Sequence, residues 1–301
     1  MAADLSIVRT PTCIAHAPQD EPVAILRSLF DANPIMRGIP RAIAYMITLP
    51  HRAQRSHEVW IKDFGSFSLI IEPGRLFLHS DKVGQAFGVP FGPRARMLFA
   101  YLITWSADSD SFEIDRGGIS LNRWAERFGL SIGGKTYAAF QDQELRLFSN
   151  HFLTTFGGNG YEGATWDQFC INGMRPDPVP RGARPDPSKR NMVRLSAELY
   201  SEIKNHPTRI PVTALSQLSN QSLGLDIYFW LAYRLPVMRA TERVSWDDLD
   251  ACFGTSYRNR HHFHPRFLEK LKLVLSIYGE ARVDVEAEGL VLHPSRAPST
   301  P

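Results

Sequence analysis

Residues 222–235 read Ser-Leu-Gly-Leu-Asp-Ile-Tyr-Phe-Trp-Leu-Ala-Tyr-Arg-Leu and are apolar on almost every face. A surface helix carries one apolar stripe, whereas a helix apolar all round has to be buried. The stretch is too short to cross a bilayer, which takes about 20 residues. It reads as the central helix of a small domain, with Ser222 as its N-cap. Asp226 is its one carboxylate, and a buried carboxylate needs a partner. Arg234 lies two helical turns further on, out of direct reach, so this helix offers none.

The segments that follow narrow the architecture. Val244 marks a short strand. Ser245-Trp246-Asp247-Asp248-Leu249 opens a capped helix that runs to Cys252, before Phe253-Gly254. A basic, aromatic stretch extends from Tyr257 to Tyr278. Two strands close the series, Arg282 to Val285 and Leu290 to Leu292, around a turn at Asp284 to Gly289. Helix, strand, capped helix, basic helix and two strands is the order of a winged helix.

That order also occurs earlier in the chain. An apolar helix over Arg94–Trp105 precedes a strand at Phe112–Asp115. A helix over Leu121–Phe128 is capped by Ser120 and stopped by Gly129. Then come a helix from Thr136 to Phe148, a strand at Phe152–Phe156, and a returning strand from Trp166 to Ile171. Each copy places a Trp (Trp124, Trp246) before a Phe-Gly pair. Upstream, 59–71 reads as two strands around a turn at Asp63–Ser66. The fold class is therefore α+β: two tandem winged-helix (helix-turn-helix) domains with an N-terminal β-hairpin extension. The expected division is 1–87 for the extension, 88–172 for the first domain, 173–190 for a Pro- and Arg-rich linker, and 191–301 for the second. Within the last span Ser196 and Thr213 are expected to cap short helices, and the residues after Pro294 to be disordered.

A length of 301 residues suits two domains. The formal net charge of +3 does not by itself argue for nucleic acid, so only a local cluster of cations can. The cysteines Cys13, Cys170 and Cys252 are far apart and form neither a CxxC metal motif nor a disulfide framework. The start lacks a charged region followed by an apolar run, and no segment has the length of a membrane span. A cytoplasmic protein without membrane association is expected, with no metal, cofactor or catalytic residue.

Two motifs suggest enzymes. Gly129 to Thr136 fits the phosphate-cradling pattern G-x-x-x-x-G-K-[ST], which in an NTPase follows a buried strand. Here the preceding segment is charged and helical in period. Lys135 and Thr136 are better placed as phosphate contacts of a DNA duplex. His262-Phe263-His264 with a later tyrosine, Tyr278, resembles the metal and nucleophile set of a rolling-circle nuclease. That set works on a strand, whereas these histidines open a helical pattern in which i and i+2 diverge. Arg258, Asn259, Arg260, His261, His262, His264, Arg266 and Lys270 form a local basic cluster where a recognition helix would begin, and the linker residues Arg175, Arg181, Arg184, Lys189 and Arg190 are a second basic stretch that either lies against phosphates or is simply solvated. Arg and Asn are the side chains that read guanine and adenine edges in the major groove. Pro265 sets the helix start near His264, since proline is comfortable only in a first turn. Glu286 and Glu288 make the second wing tip a poor phosphate binder.

Several blocks resemble the RepA-type plasmid replication initiators of proteobacteria. They are Leu49-Pro50-His51-Arg52, Gly92 to Trp105, Gly129-Leu130 with Gly133-Gly134, Arg146-Leu147-Phe148-Ser149, Leu225 to Arg234, Ser245 to Leu249, Phe253-Gly254 with Tyr257, Phe267-Leu268 with Leu271-Lys272, and Pro294 to Pro298. The resemblance implies a non-enzymatic initiator. Such a protein binds repeated sites of double-stranded DNA in a plasmid origin, promotes opening of the duplex and recruits host replication proteins. It also implies a homodimer formed through the first module. A winged-helix transcriptional repressor is the alternative within DNA binding, and a P-loop NTPase or a rolling-circle nuclease the alternative outside it.

Overall fold

The computed structural model describes residues 20–76, 85–108, 113–115, 134–158, 161–167, 170–173, 192–206, 210–254 and 262–299. Helix α1 (Asp20–Ala32) ends where the Asn33 side chain accepts from the amides of Ile35, 2.9 Å, and Met36, 3.0 Å. Helix α2 (Arg41–Ile47) is buried from Ala42 onward. Its first amides, Arg41 and Ala42, donate to the Glu202 carboxylate at 2.7 and 3.3 Å, which satisfies donors that no helix can satisfy for itself.

The hairpin β1 (Trp60–Asp63) and β2 (Phe67–Glu72) turns on Gly65, which has φ 78°. Strands β3 (Arg75–Leu76) and β4 (Gln85–Ala86) form a short pair. Helix α3 (Gly92–Asp108), strand β5 (Glu113–Asp115) and helix α4 (Gly134–Ser149) follow, then β6 (His151–Gly158), β7 (Tyr161–Asp167), β8 (Cys170–Gly173) and β9 (Met192–Leu195). The N-terminal hairpin is continuous with β6 and β7 in one antiparallel sheet of order β1-β2-β6-β7, with Phe67 opposite Phe156 and Glu72 opposite His151. The single strand expected at 166–171 is two strands in two sheets. β7 stays with β6, while β8 pairs with β9, which also pairs with β5. The expected helix over 121–128 lies outside the described residues.

Helices α5 (Ala197–Asn205), α6 (Val212–Leu218) and α7 (Ser222–Arg234) lead through a 3-10 turn (Leu235–Val237) to β10 (Glu242–Ser245), α8 (Trp246–Phe253), α9 (Phe263–Ile277), β11 (Arg282–Glu286) and β12 (Gly289–His293). Ser196 caps α5, accepting from the Leu199 amide at 3.1 Å. Ser245 and Asp248 cap α8 reciprocally, each side chain serving the other's backbone. Two expected caps need correction. Thr213 lies inside α6, which begins directly after Pro211. Ser222 is the first residue of α7 and its N-cap position falls to Gln221, without a side-chain cap. The start of α7 is set instead by the tight turn from α6, in which the Gln221 amide donates to Leu218 at 2.8 Å.

Every residue of α7 from Leu223 to Arg234 is buried. It packs on α2, α3, α6 and α9, so one continuous core joins α1 to β12. The three strands of the C-terminal part are ordered β10-β12-β11. Residues 294–299, expected to be disordered, are tied down. The Ser295 amide donates to Leu235 at 3.3 Å, the Ser295 hydroxyl accepts from the Arg282 amide at 3.1 Å, and the Tyr278 hydroxyl donates to Arg296 at 2.6 Å. No described helix is long and apolar enough to cross a membrane.

Candidate nucleic-acid interface

Helix α9 starts at Phe263 and holds Pro265 in its first turn, where the missing N–H costs nothing. Phe263, Phe267, Leu271 and Val274 recur at helical spacing and are buried. The opposite face exposes His262, His264, Arg266, Glu269 and Lys272, with Lys270 half-buried and paired to Glu269 at 2.8 Å. Arg258, Asn259, Arg260 and His261, the other half of the basic cluster, lie outside the described residues.

Trp246 joins three elements beside this face. Its ring meets His264 at 4.1 Å between centroids, its indole N–H donates to Ala287 at 3.0 Å, and its amide donates to Glu288 at 3.1 Å. The start of α8, the start of α9 and the β11–β12 turn are thereby fixed to one another. Gly289 permits the approach, because a Cβ there would stand 2.0 Å from the Val244 carbonyl oxygen. The turn is acidic. Glu286 pairs with Arg243 at 3.3 Å, Asp284 with His293 at 2.8 Å, and Glu288 is exposed.

Lys135 and Thr136 occupy the first turn of α4, with Thr136 half-buried. Among the described side chains nearby, Ala138, Ala139 and Gln141 are exposed. Arg146 turns inward, to Asp142 at 2.8 Å and over the Phe91 ring at 5.1 Å. Tyr278, which a nicking reaction would need at the surface, is buried behind the C-terminal segment. Among the described residues no His, Cys, Asp and Glu gather closely enough to hold a metal ion.

A second polar assembly lies within the core. Asp226 finds its partner outside its own helix. Arg96 of α3 reaches both its oxygens, Nε at 2.5 Å and one terminal nitrogen at 2.8 Å, and both residues are fully buried. Arg96 also donates to the carbonyls of Leu49 at 2.7 Å and Gly92 at 3.0 Å. Arg234 turns away to Glu242. Burial drives the Asp226 carboxyl up to about 7, against the pull of Arg96 and then of Lys62. Lys62, on the inward side of β1, donates to the carbonyls of Ala251 at 2.8 Å and Cys252 at 2.6 Å, and burial pushes its amine down to about 8. His51 lies 3.9 Å from Asp226. A sequence signal for this assembly exists. Arg96 and Asp226 are charges of opposite sign within two largely apolar helices, and Lys62 breaks the alternation of a strand.

The state of His51 has a measurable consequence. Burial, then the charges of Arg96 and Lys62, lower its pKa from the ordinary 6.5 to about 3. Below about pH 6.5 the unfolded chain takes up a proton that the folded chain refuses, so stability is lost as pH falls. His51→Gln removes the titrating group. Across a pH series of urea denaturations, wild type should lose stability relative to this variant by about 1.4 kcal/mol per pH unit below about 6.5. A difference independent of pH would mean that His51 takes up its proton alike in the folded and unfolded chains.

The profile of the plasmid-encoded RepA proteins matches residues 89–248, from the approach to α3 into the first turn of α8. Two solved structures share the fold. A selenomethionine crystal structure of domains 2 and 3 of RctB superposes with a TM-score of 0.55 at 12% identity, covering 86% of this chain and 99% of that one. A second crystal structure of RctB domains 2–3 gives 0.51 at 11% identity, covering 82% and 94%. No curated protein matches the chain. The matched span covers more than half of the sequence and includes the buried helix α7 and the Arg96–Asp226 pair, so the chain belongs to the family of plasmid-encoded RepA proteins.

Proposed function

We propose that this protein initiates plasmid replication by binding repeated sites in the origin, with the C-terminal unit as the principal reader of sequence. The observation that carries the reading is α9. It is held by its apolar face behind a capped α8 and beside a three-stranded sheet of order β10-β12-β11, and its other face offers His262, His264, Arg266 and Lys272 to solvent. Helix α7, β10, α8, α9 and the β11–β12 hairpin follow the element order of a winged helix, with α9 in the place of the recognition helix. Arg258, Asn259, Arg260 and His261 precede it in sequence and contribute base and phosphate contacts. The first repeat contributes Lys135 and Thr136 to phosphates, and a homodimer contact. Opening of the duplex and recruitment of host replication proteins follow binding. The acidic turn at Asp284–Glu288 keeps the second wing off the phosphates by like charge.

Footprinting on the DNA around the gene, at stated salt, tests this reading. Arg258→Ala or Arg260→Ala is expected to weaken specific binding by roughly 1–3 kcal/mol. Lys135→Ala is expected to weaken binding evenly across sequences. If substitution of Arg258, Arg260 and His264 together left the affinity for origin DNA untouched, α9 and its approach would not be the reader.

A further inference from the structure

A helix leaves its last four carbonyls without partners of its own. For α8 they are Asp250, Ala251, Cys252 and Phe253. The Asp250 carbonyl accepts from the Gly254 amide at 2.8 Å. The next two are met by a side chain from far upstream: Lys62 donates to the carbonyls of both Ala251 and Cys252. Lys62 is only 3% exposed and brings a cation to the negative end of the helix dipole. Phe253, the last residue of α8, packs against Phe267 of α9 at 5.7 Å and Trp230 of α7 at 5.6 Å. The end of α8 is therefore the seat of α9, and a strand of the N-terminal hairpin holds it.

We infer that Lys62 is a positioning residue for DNA recognition: from β1 it fixes the end of α8 and, through Phe253, the placement of α9. The same strand belongs to the sheet β1-β2-β6-β7, so the sheet of the first repeat sets the geometry of the reader in the second. Lys62 touches no DNA itself, because its amine is enclosed. Its removal should cost discrimination between sequences rather than general attraction to phosphates.

The inference rests on α9 being the DNA reader, and the test separates the two. Affinity is measured for a duplex carrying the origin repeats and for a shuffled duplex of equal length and composition, at one salt concentration. Wild type that does not prefer the origin duplex overturns the DNA reading. If wild type does prefer it, Lys62→Met, which keeps the stem and loses the donors, should lower the ratio of the two affinities about tenfold or more, as for loss of a well-aligned base contact. Lys62→Arg, which keeps charge and donors, should restore most of that ratio. General destabilisation reduces the folded fraction, lowers both affinities alike and leaves the ratio where it was. An unchanged ratio in Lys62→Met overturns the inference. So does a Lys62→Met chain that does not fold, since the lysine would then serve folding rather than recognition.

Discussion

Arg96→Ala is expected to destabilise the protein by about 3–5 kcal/mol, the range for breaking a buried ion pair by removing one partner. The substitution leaves Asp226, fully buried, with no bidentate donor, and strips a donor from the carbonyls of Leu49 and Gly92. Asp226→Ala should do similar damage, with the guanidinium now the uncompensated charge. The double replacement Arg96→Met with Asp226→Leu should recover much of the loss, because two well-packed apolar groups often match a buried pair in stability. Urea denaturation of Arg96→Met, Asp226→Leu and the double variant closes the cycle that measures this. Strict additivity would show that the two charges are not coupled.

Trp230→Ala should cost a comparable amount, about 3–5 kcal/mol for an enclosed Trp. Trp230 is fully buried, meets Phe253 at 5.6 Å and donates its indole N–H to the Ile35 carbonyl at 3.0 Å. Its loss opens a cavity under α8 and orphans a carbonyl of the N-terminal segment at the same time. Trp230→Phe keeps most of the ring contact and removes only the donor. It should lie about 1–3 kcal/mol below wild type, the cost of a buried acceptor left without a bond. A thermal or urea series on both variants separates the packing share from the hydrogen-bond share.

Local periodicity made the elements of the C-terminal part legible. The all-apolar run of α7, the Ser245–Asp248 cap and the Phe263, Phe267, Leu271, Val274 stripe each follow from residues within one or two turns. Long-range pairing was harder to read. Asp226 was conspicuous as a lone carboxylate, yet its partner stands on another helix 130 residues earlier, and no spacing rule connects them. The inward lysine of β1 was visible as a break in alternation, but its acceptors are backbone carbonyls, which leave no trace in the sequence. The tail after Pro294 carries only small, polar and proline residues with an arginine, a composition that suits an exposed chain. Its order comes from backbone and hydroxyl bonds to the 3-10 turn and the end of α9. Of the basic cluster, Pro265 placed the helix start near His264 and left Arg258 to His262 before it; α9 starts at Phe263 with His262 as its N-cap, and His262, His264 and Arg266 are exposed.

The Arg96–Asp226 pair has a further consequence for the timing of synthesis. At about 5–20 residues per second, a separation of 130 residues means that α3 leaves the ribosome on the order of ten seconds before α7. During that interval the guanidinium has no carboxylate, and the apolar side of α3 has no α7 to cover it. The first half of the chain must therefore wait in an incompletely packed state, and a ribosome stalled between residues 108 and 222 would release a fragment prone to aggregation. Chaperone access over that span is accordingly expected to affect the yield of folded protein.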